Sequence, residues 1–236
     1  MQKIQGYMRS AMDRYDMIDD GDKIAVGVSG GKDSVALLYC LAQMRRYYPK
    51  RFEVVGITLD PGFDGAGMDY TPIVDMCKEL DVEYIVDQTN IGHVVFETRD
   101  EKNPCSLCAN LRRGRLHTLA KELGCNKLAL GHHRDDAVNT FFMNLLDLGT
   151  IDCFKPVTYL SRKDLTMIRP LIFAPEQEIL KAVHRQQLPI VKNVCPIDHK
   201  TERANVDALV RDLEAMYPGL PNKIISAMQK GELAGW

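Results

Sequence analysis

Four short apolar runs, at 23–28, 53–59, 83–87 and 127–131, punctuate the first half of the chain. Each is nearly continuous rather than alternating, as in Ile24-Ala25-Val26-Gly27-Val28, and that is the pattern of strands covered on both faces. Between the runs the apolar positions switch to helical spacing, at about 33–47, 70–80 and 108–123, with 133–147 following the fourth run. The alternation predicts an α/β fold, a parallel twisted sheet with helices on both faces. Such sheets bind ligands beyond the carboxyl ends of their strands. The segment 29–34, Asp60, and Gly131-His132-His133 all follow strands and so share that edge.

The second half is less regular. Residues 60–70 form a Gly-rich loop expected to be mobile, and 149–175 is rich in turns. Within it, Met167-Ile168-Arg169-Pro170-Leu171 predicts a final edge strand ended by proline. Pro175 is expected at the first position of a helix, with Glu176 and Glu178 in its first turn. Helices at 202–216 and near 220–229 complete the chain. The reading is one domain over 1–236, with an N-terminal helix (about 1–18) and a C-terminal helical extension (about 175–236).

Composition narrows the partners. With 45% hydrophobic and 26% charged residues in 236, the chain matches an ordinary globule. No apolar run approaches the roughly 20 residues that span a bilayer, and the first residues lack the apolar core of a signal peptide. A cytoplasmic protein without a membrane partner is expected. The net charge of −2 argues against a sequence-blind nucleic-acid coat. Basic clusters at Arg45-Arg46, Lys50-Arg51, Arg112-Arg113 with Arg115, and around Lys192, Lys200 and Arg203 leave room for gripping one RNA.

The chemistry begins at Ser29-Gly30-Gly31-Lys32-Asp33-Ser34, between the first strand and its helix. A helix N-terminus offers unpaired N–H groups and partial positive charge, and two glycines let backbone approach a phosphate closely. A Walker loop would carry Ser or Thr after the lysine, where this chain has Asp33. The bland alternative is a glycine turn with Asp33 as helix cap. The six residues resemble instead the PP-loop of the ATP pyrophosphatases, which cleave ATP to AMP and pyrophosphate while adenylating an acceptor. That resemblance implies that Val28 and the backbone of Ser29, Gly30 and Gly31 hold pyrophosphate, with the Ser29 and Ser34 hydroxyls. Lys32 would add charge and Asp33 would hold Mg²⁺.

Seven cysteines, an odd number, make a disulfide framework a poor reading. Cys105-Ser106-Leu107-Cys108 opens a helix after Pro104 with the spacing of a metal site or a redox dithiol. Only Cys195 adds another cysteine in a loop context, and Cys40, Cys77, Cys125 and Cys153 read as small buried hydrophobes. Three thiolates suit an iron–sulfur cluster with one open iron better than structural zinc.

With Leu111-Arg112-Arg113-Gly114, Gly131-His132-His133-Arg134-Asp135-Asp136, Ile168-Arg169-Pro170-Leu171 and Ser226-Ala227-Met228-Gln229 in this order, the chain resembles the TtcA-type tRNA 2-thiocytidine synthetases over nearly its whole length. The TtuA-type 2-thiouridine synthetases are close relatives. The resemblance implies the adenine nucleotide α-hydrolase-like fold and a [4Fe–4S] cluster on Cys105, Cys108 and, as the candidate third ligand, Cys195. It implies ATP and Mg²⁺ as further cofactors, tRNA and a sulfur donor (sulfide or a cysteine desulfurase) as partners, and a homodimer. The implied reaction adenylates the C2 oxygen of a pyrimidine, cytidine 32 of the anticodon loop, and replaces it by sulfur. Asp135 and Asp136 would serve Mg²⁺ and proton transfer, Arg112 would contact phosphate or RNA, and Asp60 and Gly131 would line the nucleotide. His132 and His133 either orient substrate or pack at the strand end. The terminal cysteine pairs of the thiouridine branch have no counterpart here, which favours cytidine. Rival readings are the thiouridine synthetase, an amide-forming PP-loop ligase and a non-catalytic nucleotide and metal sensor.

Overall fold

The computed structural model describes residues 1–63, 68–98, 104–191 and 202–236, with the side chains of 97, 98, 202–204 and 234 left aside. In chain order the elements are α1 (Gln2–Arg14), β1 (Asp22–Gly27), α2 (Lys32–Met44), β2 (Phe52–Asp60), α3 (Thr71–Glu79) and β3 (Glu83–Gln88). Then follow a single turn α4 (Ile91–His93) running into a π-helical stretch (Val94–Thr98), α5 (Pro104–Glu122), β4 (Lys127–Ala129) and α6 (Arg134–Asp147). The hairpin β5 (Val157–Leu160) and β6 (Leu165–Ile168), then α7 (Glu176–Gln186), α8 (Glu202–Met216) and α9 (Leu220–Lys230), complete the chain.

Among the described residues the sheet runs β3-β2-β1-β4-β6-β5, parallel except for the antiparallel pair β5–β6. Side-chain alternation divides it between two cores. Ile24, Val26 and Val54 face the layer of α1, α2, α3, α6 and α7. Ala25, Val55, Ile57 and Leu128 face α5, through Leu119 and Ala120. Helices on both faces explain why β1 and β2 read as continuous apolar runs. α2 is buried nearly all round, with Leu37, Leu38 and Leu41 at 0% exposure, so truncating one to alanine would cost about 2–5 kcal/mol. α1 closes this layer through Ile4, Met8, Ala11 and Met12, spaced on one helical stripe.

Two expectations are corrected. The last parallel strand is Leu165–Ile168 rather than 167–171, and it is internal, between β4 and β5. The edge belongs to β5, whose residues turn back through a tight connection to pair with β6. Arg169 lies just beyond β6, buried, its guanidinium donating to the Lys155 carbonyl and lying 4.9 Å from the Phe154 ring centroid. Burial pushes it down to about 10, and it ties the hairpin to the sheet. Pro175, in turn, stands one position earlier than expected, as the N-cap of α7. Its Glu176 and Glu178 do occupy the first turn.

Strand order fixes where a ligand goes. From β1 the sheet extends through β2 in one direction and through β4 in the other, so the connections leaving β1 and β4 diverge at their carboxyl ends. A crevice opens at that switch point.

Candidate active site

The crevice is a cleft of about 510 Å³ between the loop after β1, the end of β4, the first turn of α6 and one side of α5. β1 hands over to the loop through Val28, whose N–H donates to the Ile57 carbonyl at 2.8 Å. The Val28 carbonyl accepts from the Thr58 hydroxyl at 2.8 Å. Ser34 closes the loop: its Oγ accepts from the Ser29 N–H at 3.1 Å and donates to the Gly31 carbonyl at 2.9 Å. Ser29 Oγ lies 3.2 Å from Ser34 Oγ. Gly30 has φ of +84°, a conformation that a side chain would strain, and a Cβ there would meet Val191 at 3.0 Å. Gly31 caps α2 without a side-chain cap hydrogen bond among the described residues.

Gly131 brings the two halves of the crevice together. A Cβ there would lie 3.1 Å from Ser34 N and 3.2 Å from the Asp33 carbonyl carbon, so the end of β4 packs directly on the backbone of the first turn of α2.

The carboxylates sort by what they touch. Asp33 and Asp136 line the cleft, and Asp33 Oδ1 is a buried atom with no hydrogen-bond partner among the described residues. Burial pushes the Asp33 carboxyl above its ordinary range; His133 and Lys32 pull it back only partly, and Asp136 adds to the rise. His133 caps α6, its Nδ1 accepting from the Asp136 N–H at 3.3 Å while the Asp136 carboxylate accepts from the His133 N–H at 2.9 Å. An accepting Nδ1 leaves the ring proton on Nε2, 3.5 Å from Asp136 Oδ2 and 3.8 Å from Asp33 Oδ1. Of the even alternatives for His133, the structure favours neither alone: it caps the helix and faces both carboxylates.

Asp135 is used differently. Its Oδ2 accepts from the Glu176 N–H at 2.8 Å, capping α7, and its Oδ1 accepts from Arg134 at 3.2 Å. Consecutive residues on a helix point about 100° apart, and only the second faces the cleft. Lys32 is held by the carboxylates of Asp33 at 2.9 Å and Glu176 at 2.8 Å. Burial pulls its ammonium down, and those two carboxylates outweigh it and hold it above its ordinary range. Asp60 is buried and turned into its own loop, accepting from the N–H groups of Gly62 at 3.0 Å and Met68 at 3.1 Å. It is not a wall of the cleft.

α5 supplies the opposite wall through Ala109, Arg112, Arg113 and Leu116, and Leu59 and Leu130 extend its apolar part. Arg115, one turn on, is tied to Asp87 at 2.7 and 2.8 Å and anchors the helix to β3. Arg45 is likewise structural, donating to the Leu80 carbonyl at 2.8 Å. Cys105 is exposed and Cys108 buried in the first turn of α5, three residues apart and thus on one helix side. The same helix lines the cleft from Ala109 onward, while Cys108 packs with Ile91 and Val95 in a small apolar cluster beside it. Cys195 lies outside the described residues, as do Lys192, Lys200 and 64–67 of the Gly-rich loop. Cys40, Cys77, Cys125 and Cys153 are buried as expected, and burial pushes the thiols of Cys40, Cys77 and Cys153 up to about 12.

Two site features escaped sequence reasoning. Glu176 reaches Lys32 across 144 positions, and no local signal marks that pair. Val191 packs on Gly30 and donates to its carbonyl at 3.0 Å. His132 also lines the cleft, its ring 5.0 Å from that of Phe154.

A glycine loop at a helix N-terminus, two half-buried carboxylates and an apolar wall at the switch point of a parallel sheet define a site of the PP-loop type. Residues 3–211 match the family model described as a PP-loop domain. The tRNA-cytidine(32) 2-sulfurtransferase of Citrifermentans bemidjiense is 35% identical over 229 residues, 96% of this chain and 89% of that protein. The protein of the same name from Geobacter sulfurreducens is 36% identical, covering 96% and 88%. Among solved structures, the U34-tRNA thiolase NcsA from Methanococcus maripaludis with its [4Fe-4S] cluster superposes with a TM-score of 0.78 at 27% identity, over 97% of this chain and 77% of that one. The chain belongs to the PP-loop family of tRNA sulfurtransferases.

Proposed function

We propose that the protein is an ATP-dependent tRNA 2-sulfurtransferase acting on cytidine 32, with a [4Fe–4S] cluster held by Cys105, Cys108 and Cys195. One observation carries this reading. α5 bears Cys105 and Cys108 on its first turn and lines the nucleotide cleft on its next, so thiols and nucleotide share one helix. The cytidine enzymes at 35–36% identity support cytidine over the uridine of the 27% identical structural relative.

The residues divide the work. The first-turn N–H groups of α2 and the Ser29 and Ser34 hydroxyls hold the β,γ-phosphates, and Leu59, Leu116 and Leu130 receive the adenine. Asp33 and Asp136 fit a Mg²⁺ shared with those phosphates. A buried carboxylate oxygen without a donor beside a second carboxylate is a cation's surrounding, and Mg²⁺ commonly takes only one or two protein carboxylates. The cytidine C2 oxygen attacks the α-phosphorus and the bond to pyrophosphate breaks, with Arg112 and Arg113 facing the developing charge. Hydrosulfide then adds at C2, AMP departs with the former C2 oxygen, and the hydrosulfide proton is released. The cluster, when bound, supplies the place where that sulfur is held next to the base.

We further propose a cytoplasmic homodimer supplied with sulfide or by a desulfurase. Exposed Leu146, Leu148 and Ile151 at the end of α6 offer an apolar surface for a second copy. The test is anaerobic reconstitution with ATP, sulfide and tRNA, followed by nucleoside mass spectrometry. The reading expects 2-thiocytidine; 2-thiouridine would move the protein to the other branch, and no thiolated nucleoside would overturn it.

A further inference from the structure

A second cavity, of about 570 Å³, lies on the other side of the first turn of α6, between α1, α9 and the segment before α7. Arg134 is one of its walls, and Asp136, two residues on, is a wall of the nucleotide cleft. Positions two apart on a helix point to nearly opposite sides, so one helical turn separates the two chambers.

The chemistry of the second chamber is that of a nucleotide site. Arg14 and Arg134 line it, with no carboxylate among its described walls. Arg14 is exposed and makes no ion pair among the described residues. Arg134 gives one donor to Asn222 at 3.0 Å and one to Asp135 at 3.2 Å, yet its buried Nε–H has no acceptor among the described residues. Phe173 contributes a flat apolar face, and the Asn222 amide and the hydroxyls of Ser10 and Ser226 add groups able to meet a base edge. A guanidinium for phosphate, a ring for stacking and an amide for a base edge are the means by which unpaired RNA is held. None of these groups takes part in the phosphate cradle.

We infer that this chamber receives a nucleotide of the RNA substrate other than the one that reacts, its phosphate on Arg14 and its base against Phe173. The inference rests on the tRNA sulfurtransferase reading. It accounts for the Ser226-Ala227-Met228-Gln229 segment, which the nucleotide cleft does not use: Ser226 and Gln229 line this second chamber instead. A strand that splays one base into the cleft would place a neighbour across the first turn of α6.

The test uses the full chain with its cluster, and measures tRNA affinity over a salt series beside ATP affinity. Arg14→Gln is expected to weaken tRNA binding roughly fivefold and to flatten the slope of log K against log salt by about 0.7–0.9, with ATP affinity unchanged. Ser226→Leu, which fills the chamber, is expected to weaken tRNA binding about tenfold without that change of slope. Cytidine 5′-monophosphate is titrated alone to separate a free nucleotide from one in RNA. If it binds in an Arg14-dependent way while tRNA affinity is indifferent to both substitutions, the chamber is a small-ligand site and the inference is overturned. Wild-type binding of tRNA with both variants indistinguishable overturns this inference alone. Failure of the wild type to bind tRNA takes the functional reading down with it.

Discussion

Replacing Gly131 by alanine tests whether the contact between β4 and α2 sets the phosphate cradle. The added Cβ would meet Ser34 N at 3.1 Å, the Asp33 carbonyl carbon at 3.2 Å and Ser34 Cα at 3.3 Å. Comfortable separations are about 3.5–4.0 Å, so the first turn of α2 must retreat by roughly 0.3–0.5 Å. All three atoms are backbone, and no side chain can swing away. Overpacking of this kind costs about 1–3 kcal/mol, and at roughly 2–4 °C per kcal/mol Tm falls by about 2–12 °C. A displacement of 1 Å can cost about a hundredfold in rate. A shift of a few tenths is therefore expected to lower kcat/KM for ATP about three- to tenfold. The assays are thermal unfolding and pyrophosphate release. Gly6→Ala is the contrast: Gly6 lies within α1, a Cβ there meets nothing within 4 Å, and the variant should gain about 0.5–1 kcal/mol. If Gly131→Ala matches Gly6→Ala in stability and the wild type in kcat/KM, the packing argument is wrong.

Asp136→Asn should reduce pyrophosphate release at least a hundredfold with little change in Tm, whereas Asp135→Ala should lose about 1–2 kcal/mol of stability through the α7 cap and keep most of its turnover; melting curves and turnover on both variants decide the assignment. Asp33→Asn should abolish turnover yet be more stable than the wild type at neutral pH. The folded state holds Asp33 above its ordinary range, so the wild type loses stability as pH rises through that range, and the difference should vanish in acid where both forms are neutral. Denaturant titrations at pH 3 and pH 7 read that sign. Cys105→Ser and Cys108→Ser should each lose iron and acid-labile sulfide after anaerobic reconstitution, whereas Cys40→Ala, at a thiol pushed up to about 12, should retain both.

Much of this arrangement was legible because it is local. The loop that opens α2 occupies six consecutive residues, and the strands flanking it are buried on both faces, so their apolar runs are unbroken. The hairpin β5–β6 was not legible as such, because β5 is an edge strand with Tyr159 exposed and half-buried neighbours, and its pattern resembles a loop. Asp135 and Asp136 are indistinguishable in sequence; their separation depends on the rotation of α6 and on the arrival of α7 above Asp135. Asp60 was expected just after the second strand and is its last residue, yet its carboxylate turns toward the N–H groups of Gly62 and Met68, a choice made by loop geometry. The ion pair of Lys32 with Glu176 and the packing of Val191 on Gly30 join distant segments and are products of tertiary structure alone.

The central claim is that the C2 oxygen of the base is activated by joining the α-phosphate before sulfur replaces it. Transfer RNA carrying ¹⁸O at C2 of cytidine 32, turned over with ATP and sulfide and analysed by mass spectrometry of the released nucleotides, tests it directly. The account predicts one ¹⁸O in AMP for every 2-thiocytidine formed and none in pyrophosphate. Label recovered in pyrophosphate or in water, with AMP unlabelled, would contradict it.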